Sequence, residues 1–450
     1  MQKSVYICQN CAWEGSKWHG KCPQCQAWNS VTEELKPVLS SAKRPHFFVS
    51  DSDKKPHPFS QIIKQDKKSF PSGLKEFDRV LGAGFVPGAF ILLGGSPGVG
   101  KSTLLLQVCG HVSQTKKVLY ISAEESPSQS ALRASRLNID RPELLFFSAN
   151  SLEDILFQAE KIKPDLLILD SIQTVYLKSL SSAPGTVAQV RECAGLLMNF
   201  AKSSSITVVI VGHVTKDGSL AGPRVLEHLV DTVLSIEGES ESQCRVLRSS
   251  KNRFGPNNEI ALFEMNEEGL REITNPSEFF LSERLQDPIG SVIFPAIEGS
   301  RPLLCEIQAL VTSSYLPMPR RACVGLDINR VHLVGAVLDK YIQIDLGKKD
   351  LSVNLVGGLK ITEPAGDLAI AVAILSSRFK APIDSKSCFF SEIGLTGELR
   401  SCRFALERVQ EAEKLGFKQV YLPKSLESFF KKKRVKIKLN FKSHIEEFKF

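Results

Sequence analysis

Residues 94–103 read GGSPGVGKST, and within them Gly95-Ser96-Pro97-Gly98-Val99-Gly100-Lys101-Ser102 has the spacing Gly-x4-Gly-Lys-Ser, continued by Thr103. That spacing cradles phosphate. The glycines let backbone N–H groups wrap an anion at a helix N-terminus, the lysine reaches the β- and γ-phosphates, and the serine hydroxyl coordinates Mg²⁺. The context is the one required, a strand-like FILL before the loop and a helix-like STLLLQVCG after it. The run LLILD ends on Asp170, which is placed to orient Mg²⁺ with Ser102. Hydrolysis of a bound nucleotide also needs a carboxylate to orient water. Two candidates, Glu124 and Glu125, follow the next strand-like run in YISAEES. Elsewhere, Lys251 and Arg253 stand one residue apart in SSKNRFGPNNEI, beside Phe254 and Gly255. A phosphate clamp, a nucleic-acid contact and a solvated turn all fit that stretch.

A different chemistry opens the chain. Cys8-x2-Cys11 and Cys22-x2-Cys25 are two CxxC turns, each able to aim two thiolates at one tetrahedral ion. The expectation is a structural Zn²⁺ with four cysteine ligands, His19 remaining outside the shell. Trp13, Trp18 and Trp28 are expected to cover a core too small to stand without metal.

These residues need elements to position them. At 450 residues the chain calls for two or three domains. Short apolar runs at 90–93, 118–122, 144–147, 166–170, 206–212 and 232–236 alternate with helix-like segments, the mark of a largely parallel α/β sheet. Ser151 with Asp154 caps one such helix. Val190, Ala194, Leu197, Met198 and Ala201 share one face of another. The expected layout is a four-cysteine module over 1–32, a polar linker over 33–68, a nucleotide-binding α/β domain over 69–274 and a second α/β domain over 275–450. No apolar run reaches the ~20 residues of a membrane span, and no signal-peptide pattern begins the chain, so a cytosolic protein is expected. Lys plus Arg exceed Asp plus Glu by 57 − 49 = 8, which permits a polyanionic partner. Of eleven cysteines, four cluster at the start and seven are scattered singly, as small core residues in a reducing compartment.

PSGLKEFDRVLGAGFVPG before the loop, AEES and LLILDSIQT together resemble the RecA-type ATPase core. That resemblance implies ATP as the nucleotide and Glu124 as the catalytic carboxylate, Glu125 being the fallback. It puts His213 where the family has a γ-phosphate sensor. With the four-cysteine module, AGPRVLEHLVDTVLSIEG and KNRFG, the chain resembles over nearly its whole length the RadA/Sms family of bacterial recombination and repair proteins. What this implies is an ATP-driven motor on single-stranded and branched DNA, working beside a RecA-type recombinase. KNRFGP is similar to a phrase of DnaB-type hexameric helicases, whose cations reach the neighbouring subunit's nucleotide. By that likeness Lys251 and Arg253 act in trans. The loops YLKSLSSAPGTVAQVRE and VTKDGSLAGPRVLE correspond to the central-channel loops of RecA-type rings, where Lys178, Lys216 and Arg224 would meet DNA phosphates. They are read as flexible.

The last third resembles the proteolytic domain of Lon through ITEPAGDLAIAVAIL, SEIGLTGELR and RVQEAEKLGFKQVYLP. Ala365 stands at the nucleophile's position and Leu406 near that of the lysine base, so the expected role is a non-proteolytic scaffold for a hexameric ring. Arg320, Arg321, Arg330, Lys340, Lys348 and Lys349 offer a basic surface for duplex DNA, whereas KKKR at 431–434 reads as a solvated face. The rivals are a Lon-type protease and a KaiC-like regulatory ATPase that forms rings without translocating.

Overall fold

A computed structural model describes residues 4–8, 13–35, 68–82, 84–213, 225–238, 244–286, 288–315 and 318–448. Cys11, Lys216, Arg224 and linker residues 36–67 lie outside them. The chain divides into two units, Met1–Glu272 and Ile273–Phe450.

The first unit begins with a three-stranded antiparallel sheet of β1 (Ser4–Cys8), β2 (Glu14–Gly15) and β3 (Val31–Leu35), with β1 in the middle. Cys8, Cys22 and Val31 form its small core, packed by Tyr6 and Trp13. Here an expectation fails. Trp13 covers the core, but Trp18 and Trp28 are 60% and 72% exposed. So small a module has room for one indole.

A nine-stranded sheet follows. Its strands are β4 (Phe90–Gly95), β5 (Val118–Ser122), β6 (Leu144–Ser148), β7 (Leu166–Asp170), β8 (Thr207–His213), β9 (Thr232–Glu237), β10 (Cys244–Asn252), β11 (Ile260–Asn266) and β12 (Gly269–Glu272). Their spatial order is β12-β11-β10-β9-β4-β8-β7-β5-β6. The six from β9 to β6 run parallel, and β10, β11 and β12 extend the sheet antiparallel. Alternation along the strands feeds two cores. Ile91 and Leu93 point to one face, with Leu104, Leu105 and Val108 of α2 (Lys101–Val112) and Phe77 and Val80 of α1 (Lys75–Leu81). Phe90 and Leu92 point to the other, with Ile155 and Leu156 of α4 (Leu152–Ile162) and Val190, Ala194, Leu197 and Ala201 of α5 (Val187–Ser204). Two further helices lie among the described residues of this unit, α3 (Pro127–Arg136) and α6 (Val225–Leu229). Ser151 caps α4 by accepting from the Asp154 N–H at 3.4 Å.

Because the six strands are parallel, their carboxyl ends gather at one edge. Gly95 lies beside His213 in the register, and Ser122 beside Asp170. The loop after β4 and the acids after β5 and β7 are thus brought together by topology.

The second unit starts with α7 (Pro276–Leu281) and holds a seven-stranded mixed sheet. The sheet is built from β13 (Ser291–Glu298), β14 (Arg301–Ser313), β15 (Arg321–Val324), β16 (Lys349–Leu355), β17 (Ser387–Phe389), β20 (Gln419–Pro423) and β21 (Lys438–Lys442), with β18 (Glu392–Ile393) and β19 (Leu399–Arg400) as a separate ribbon. Its helices are α8 (Ile328–Ile342), α9 (Asp367–Phe379), α10 (Ala405–Lys414) and α11 (Glu427–Phe430). Every residue of α9 from Asp367 to Ser376 is buried, so this helix is the unit's core.

Candidate nucleotide site and the cations opposite it

Between β4 and α2 the chain turns through Gly98 and Gly100, with φ of 77° and 113°. A side chain on Gly100 would be strained there, and its Cβ would stand 2.7 Å from Met265 Cε. The loop therefore closes against the β11–β12 hairpin while leaving the first N–H groups of α2 for an anion. The Lys101 ammonium is buried and donates to the Gly95 and Ser96 carbonyls at 2.8 and 3.0 Å. Burial lowers its pKa, opposed by the nearby charges of Asp170 and Glu124. Lysine and both acids therefore share one small volume.

Each of these two acids is held by a hydroxyl. Tyr120, 2% exposed, donates its phenol O–H to Asp170 Oδ2 at 2.8 Å. Burial pushes that phenol well above its ordinary pKa, with Asp170's charge adding to it, so it stays a donor. Ser171 Oγ donates to Glu124 Oε1. Glu125 faces elsewhere and is bound by Arg133 of α3 at 2.5 Å. Of the two candidates, Glu124 shares the site with Lys101 and Asp170. The oxygen donors Ser102 and Asp170 are those a hard cation such as Mg²⁺ takes. His213 ends β8 alongside Gly95 in the sheet. Arg245 of β10, buried, donates through Nε to the carbonyl of Val99 at 3.2 Å and braces the loop from the side.

Lys251 and Arg253 lie at the opposite end. Asn252 pairs with Thr232, the first residue of β9, and the Asp231 N–H donates to the carbonyl of Phe90, the first residue of β4. The six residues of β4 separate that edge from Gly95 by roughly 17 Å at about 3.3 Å per residue. Neither cation reaches its own chain's phosphate loop. Lys251 donates to the carbonyls of Glu227 and Val230 at 2.7 and 2.8 Å, closing the end of α6. Burial, then Arg253, lowers its pKa. Arg253, half exposed, pairs with Asp231 at 3.0 Å. Gly255 presses on Gly82, where a Cβ would meet the Gly82 Cα at 2.8 Å, so the turn that carries Arg253 is fixed on α1.

The loop after β7 is more ordered than its composition suggests. The buried amide of Gln189 accepts from Leu177 N and donates to the carbonyls of Leu180 and Ser182. Lys178 is exposed and pairs with Asp154 at 3.2 Å. A cavity of about 400 Å³ opens beside it, lined by Phe157, Asn150 and Tyr176. Its charged lining group is Asp154, an acid, which does not suit a phosphate.

In the N-terminal module the sulfurs of Cys8, Cys22 and Cys25 lie within 4.8 Å of one another, and Cys8 and Cys25 are 3.6 Å apart. Thiolates around one Zn²⁺ stand about 3.8 Å apart, given Zn–S bonds near 2.3 Å, so these three fit such a shell. His19 packs edge-on against Trp13.

In the second unit Ala365 is buried in the short 3-10 turn Pro364–Gly366 that precedes α9, while Leu406 is half-buried on α10. Beside Leu406, Arg408 is 1% exposed and forms an ion pair with Glu363. Arg330, expected on a DNA-facing surface, is instead paired with buried Asp367, whose pKa burial raises to about 6. Arg321 likewise donates to the carbonyls of Leu346 and Lys349 at 2.7 and 2.5 Å. Both arginines serve the fold.

Comparison with known proteins follows the same three-part layout. The AAA domain family matches residues 67–219, the rubredoxin metal binding domain residues 6–33, and the family of subunit ChlI of Mg-chelatase residues 329–425. The chain is 48% identical to the DNA repair protein RadA of Bacillus subtilis, over 97% of this chain and 96% of that one. It is 47% identical to the protein of that name from Listeria monocytogenes, over 95% and 93% of the two chains. The RadA of Haemophilus influenzae is 46% identical over 94% and 92%.

Proposed function

The chain belongs to the family of the DNA repair protein RadA, and from that premise we propose that it is an ATP-driven motor that moves along single-stranded DNA to extend or migrate branched recombination intermediates. The observation that carries the motor reading is the separation of Arg253 from the phosphate loop by the full length of β4. Within one chain, neither Lys251 nor Arg253 can serve as a finger for that chain's own phosphate loop. A ring in which each Arg253 faces the next subunit's loop supplies the missing charge and makes hydrolysis depend on assembly. A homo-hexamer is the expected form, with the Lon-like unit as its scaffold and a RecA-type recombinase as its partner in the cytoplasm.

In such a ring the loop N–H groups and Lys101 bind the β- and γ-phosphates of ATP. Lys101 then leaves the carbonyls of Gly95 and Ser96. Ser102 and Asp170 hold Mg²⁺, which when bound neutralises charge on the phosphates. Glu124, steadied by Ser171, orients the attacking water, and His213 senses the γ-phosphate from the end of β8. Arg253 of the neighbour stabilises charge on the transferred group, while Lys251 positions it by fixing the end of α6. Lys178, Lys216 and Arg224 guide the DNA strand. The four cysteines Cys8, Cys11, Cys22 and Cys25 hold Zn²⁺. Ala365 and Leu406 offer no nucleophile–base pair, which argues against a protease.

The test is ATP turnover with and without single-stranded DNA, then strand displacement on a forked duplex. DNA-stimulated turnover with displacement is expected. Turnover indifferent to DNA would favour the regulatory ring instead, and ATP-dependent digestion of casein would favour the protease.

A further inference from the structure

All three tryptophans of the chain sit in the N-terminal module, and two of them are not used by its core. Trp28 is 72% exposed and Trp18 60%. An exposed indole is costly to leave in water, and two on so short a stretch mark a contact surface. Lys21 bridges to Trp28 across the knuckle and places its ammonium 5.7 Å from the centre of that ring. The cation covers at most one face of the indole. Lys17 is exposed next to Trp18, and from Gly15 to Thr32 the chain has no Asp or Glu. Four thiolates on a divalent ion would carry a formal negative charge. Cys8 and Cys22 are buried and Cys25 is exposed, and Lys17 and Lys21 supply the exposed cations of the knuckle.

Aromatic faces interleaved with cations and free of acids match single-stranded nucleic acid, whose bases stack on any flat ring and whose phosphates need positive charge. We propose that the knuckle from Ser16 to Asn29 is a second grip on single-stranded DNA, with a base stacked on Trp28 and the flanking phosphates on Lys17 and Lys21. Trp18 offers a further stacking surface. This rests on the reading of the chain as a DNA motor and adds to it a contact independent of nucleotide.

The full-length zinc-loaded protein tests this, because tryptophan emission reports on the module alone. Fluorescein-labelled oligothymidylate is titrated while its anisotropy and the tryptophan emission are followed together, without nucleotide. The expected result is quenching that saturates with the anisotropy. Trp28→Ala should weaken binding on the order of tenfold. The double variant Lys17→Gln with Lys21→Gln should reduce the slope of log affinity against log salt by about 1.4, that is, two phosphate contacts. Zinc content equal to the parent's shows that each variant is folded. Anisotropy that rises with unchanged emission, or variants that bind like the parent, overturns the knuckle's role and assigns its rings to a protein partner, leaving the motor reading intact. An oligomer that fails to bind at all sinks both readings, and the anisotropy alone reveals that case.

Discussion

Asp170 gives one carboxylate oxygen to the phenol of Tyr120, which leaves the other for a metal-bound water. A carboxylate free to rotate would present either oxygen, or both, to the cation. The buried phenol removes that freedom, and a hydrogen bond to a charged group is worth about 1.5–3 kcal/mol. Tyr120→Phe deletes one oxygen and leaves the ring in its stack against Phe146. It should raise the Mg²⁺ concentration needed for half-maximal binding of a fluorescent ATP analogue by roughly tenfold, converting about 1.4 kcal/mol. Binding of that analogue without metal should not change. Titrating Mg²⁺ against fluorescence checks this, and an unchanged metal requirement would reduce Tyr120 to a packing residue. The phosphate loop, Asp170 and the pair Glu124/Glu125 were legible in the sequence because their spacing is local and tied to strand ends. Tyr120 was not, because VLYIS reads as a buried strand and only the neighbouring position of β7 gives its hydroxyl a purpose. Nor was Arg245, whose contact with Val99 spans the sheet. The choice of Glu124 over Glu125, left to resemblance in the sequence, gains a physical reason from the Arg133 pair that turns Glu125 away.

At the scale of elements, alternating apolar runs announced the parallel strands of the first unit, and each of the six appears within two residues of its expected limits. The antiparallel extension from β10 to β12 was harder to foresee, since hairpins at a sheet edge carry no crossover helix to mark them. That extension does two jobs. Its upper end braces the phosphate loop through Arg245 and Met265, and its lower end carries Arg253. In the second unit the phrases that resemble Lon fall partly on α9 and α10, but spacing could not show what packs beside Ala365 and Leu406. The structure puts Arg408 there, against Glu363 and between the rings of Phe294 and Phe390. A buried arginine without water depends on such partners, and removing one side of the pair strands the other. Arg408→Met should therefore destabilise the second unit by about 3–5 kcal/mol, whereas Arg408→Met with Glu363→Leu should recover much of that loss. Urea unfolding followed by tyrosine fluorescence and circular dichroism measures both. A single variant as stable as the parent would mean that the pair contributes nothing to the fold.

For the whole molecule, the proposed ring would divide one catalytic centre between two chains, and a mixing experiment can detect that division. Lys101→Ala removes the ammonium proposed to receive the phosphates, so its defect should stay within its own subunit. Arg253→Ala leaves the phosphate loop untouched, because the two are separated by the length of β4, and should cost about 10³-fold in turnover, the usual scale of an arginine finger. Its local partner Asp231 keeps Lys202 at 3.7 Å and the N–H of Phe90 at 3.1 Å, so the fold around it has other supports. Each variant alone is inactive for a different reason. In a mixed ring, an Arg253→Ala subunit contributes a sound loop and a Lys101→Ala subunit contributes a sound Arg253. Wherever the two meet in the correct order, one complete centre is rebuilt. Activity should therefore return on mixing two inactive proteins and should follow the fraction of correctly ordered neighbours as the ratio is varied. Subunit exchange is established separately by energy transfer between labelled chains. If exchange occurs and the mixture stays inactive at every ratio, Arg253 does not act across the interface. It then belongs with the cations that follow the DNA, and Arg253→Ala should lower DNA affinity and flatten its salt dependence while sparing basal hydrolysis.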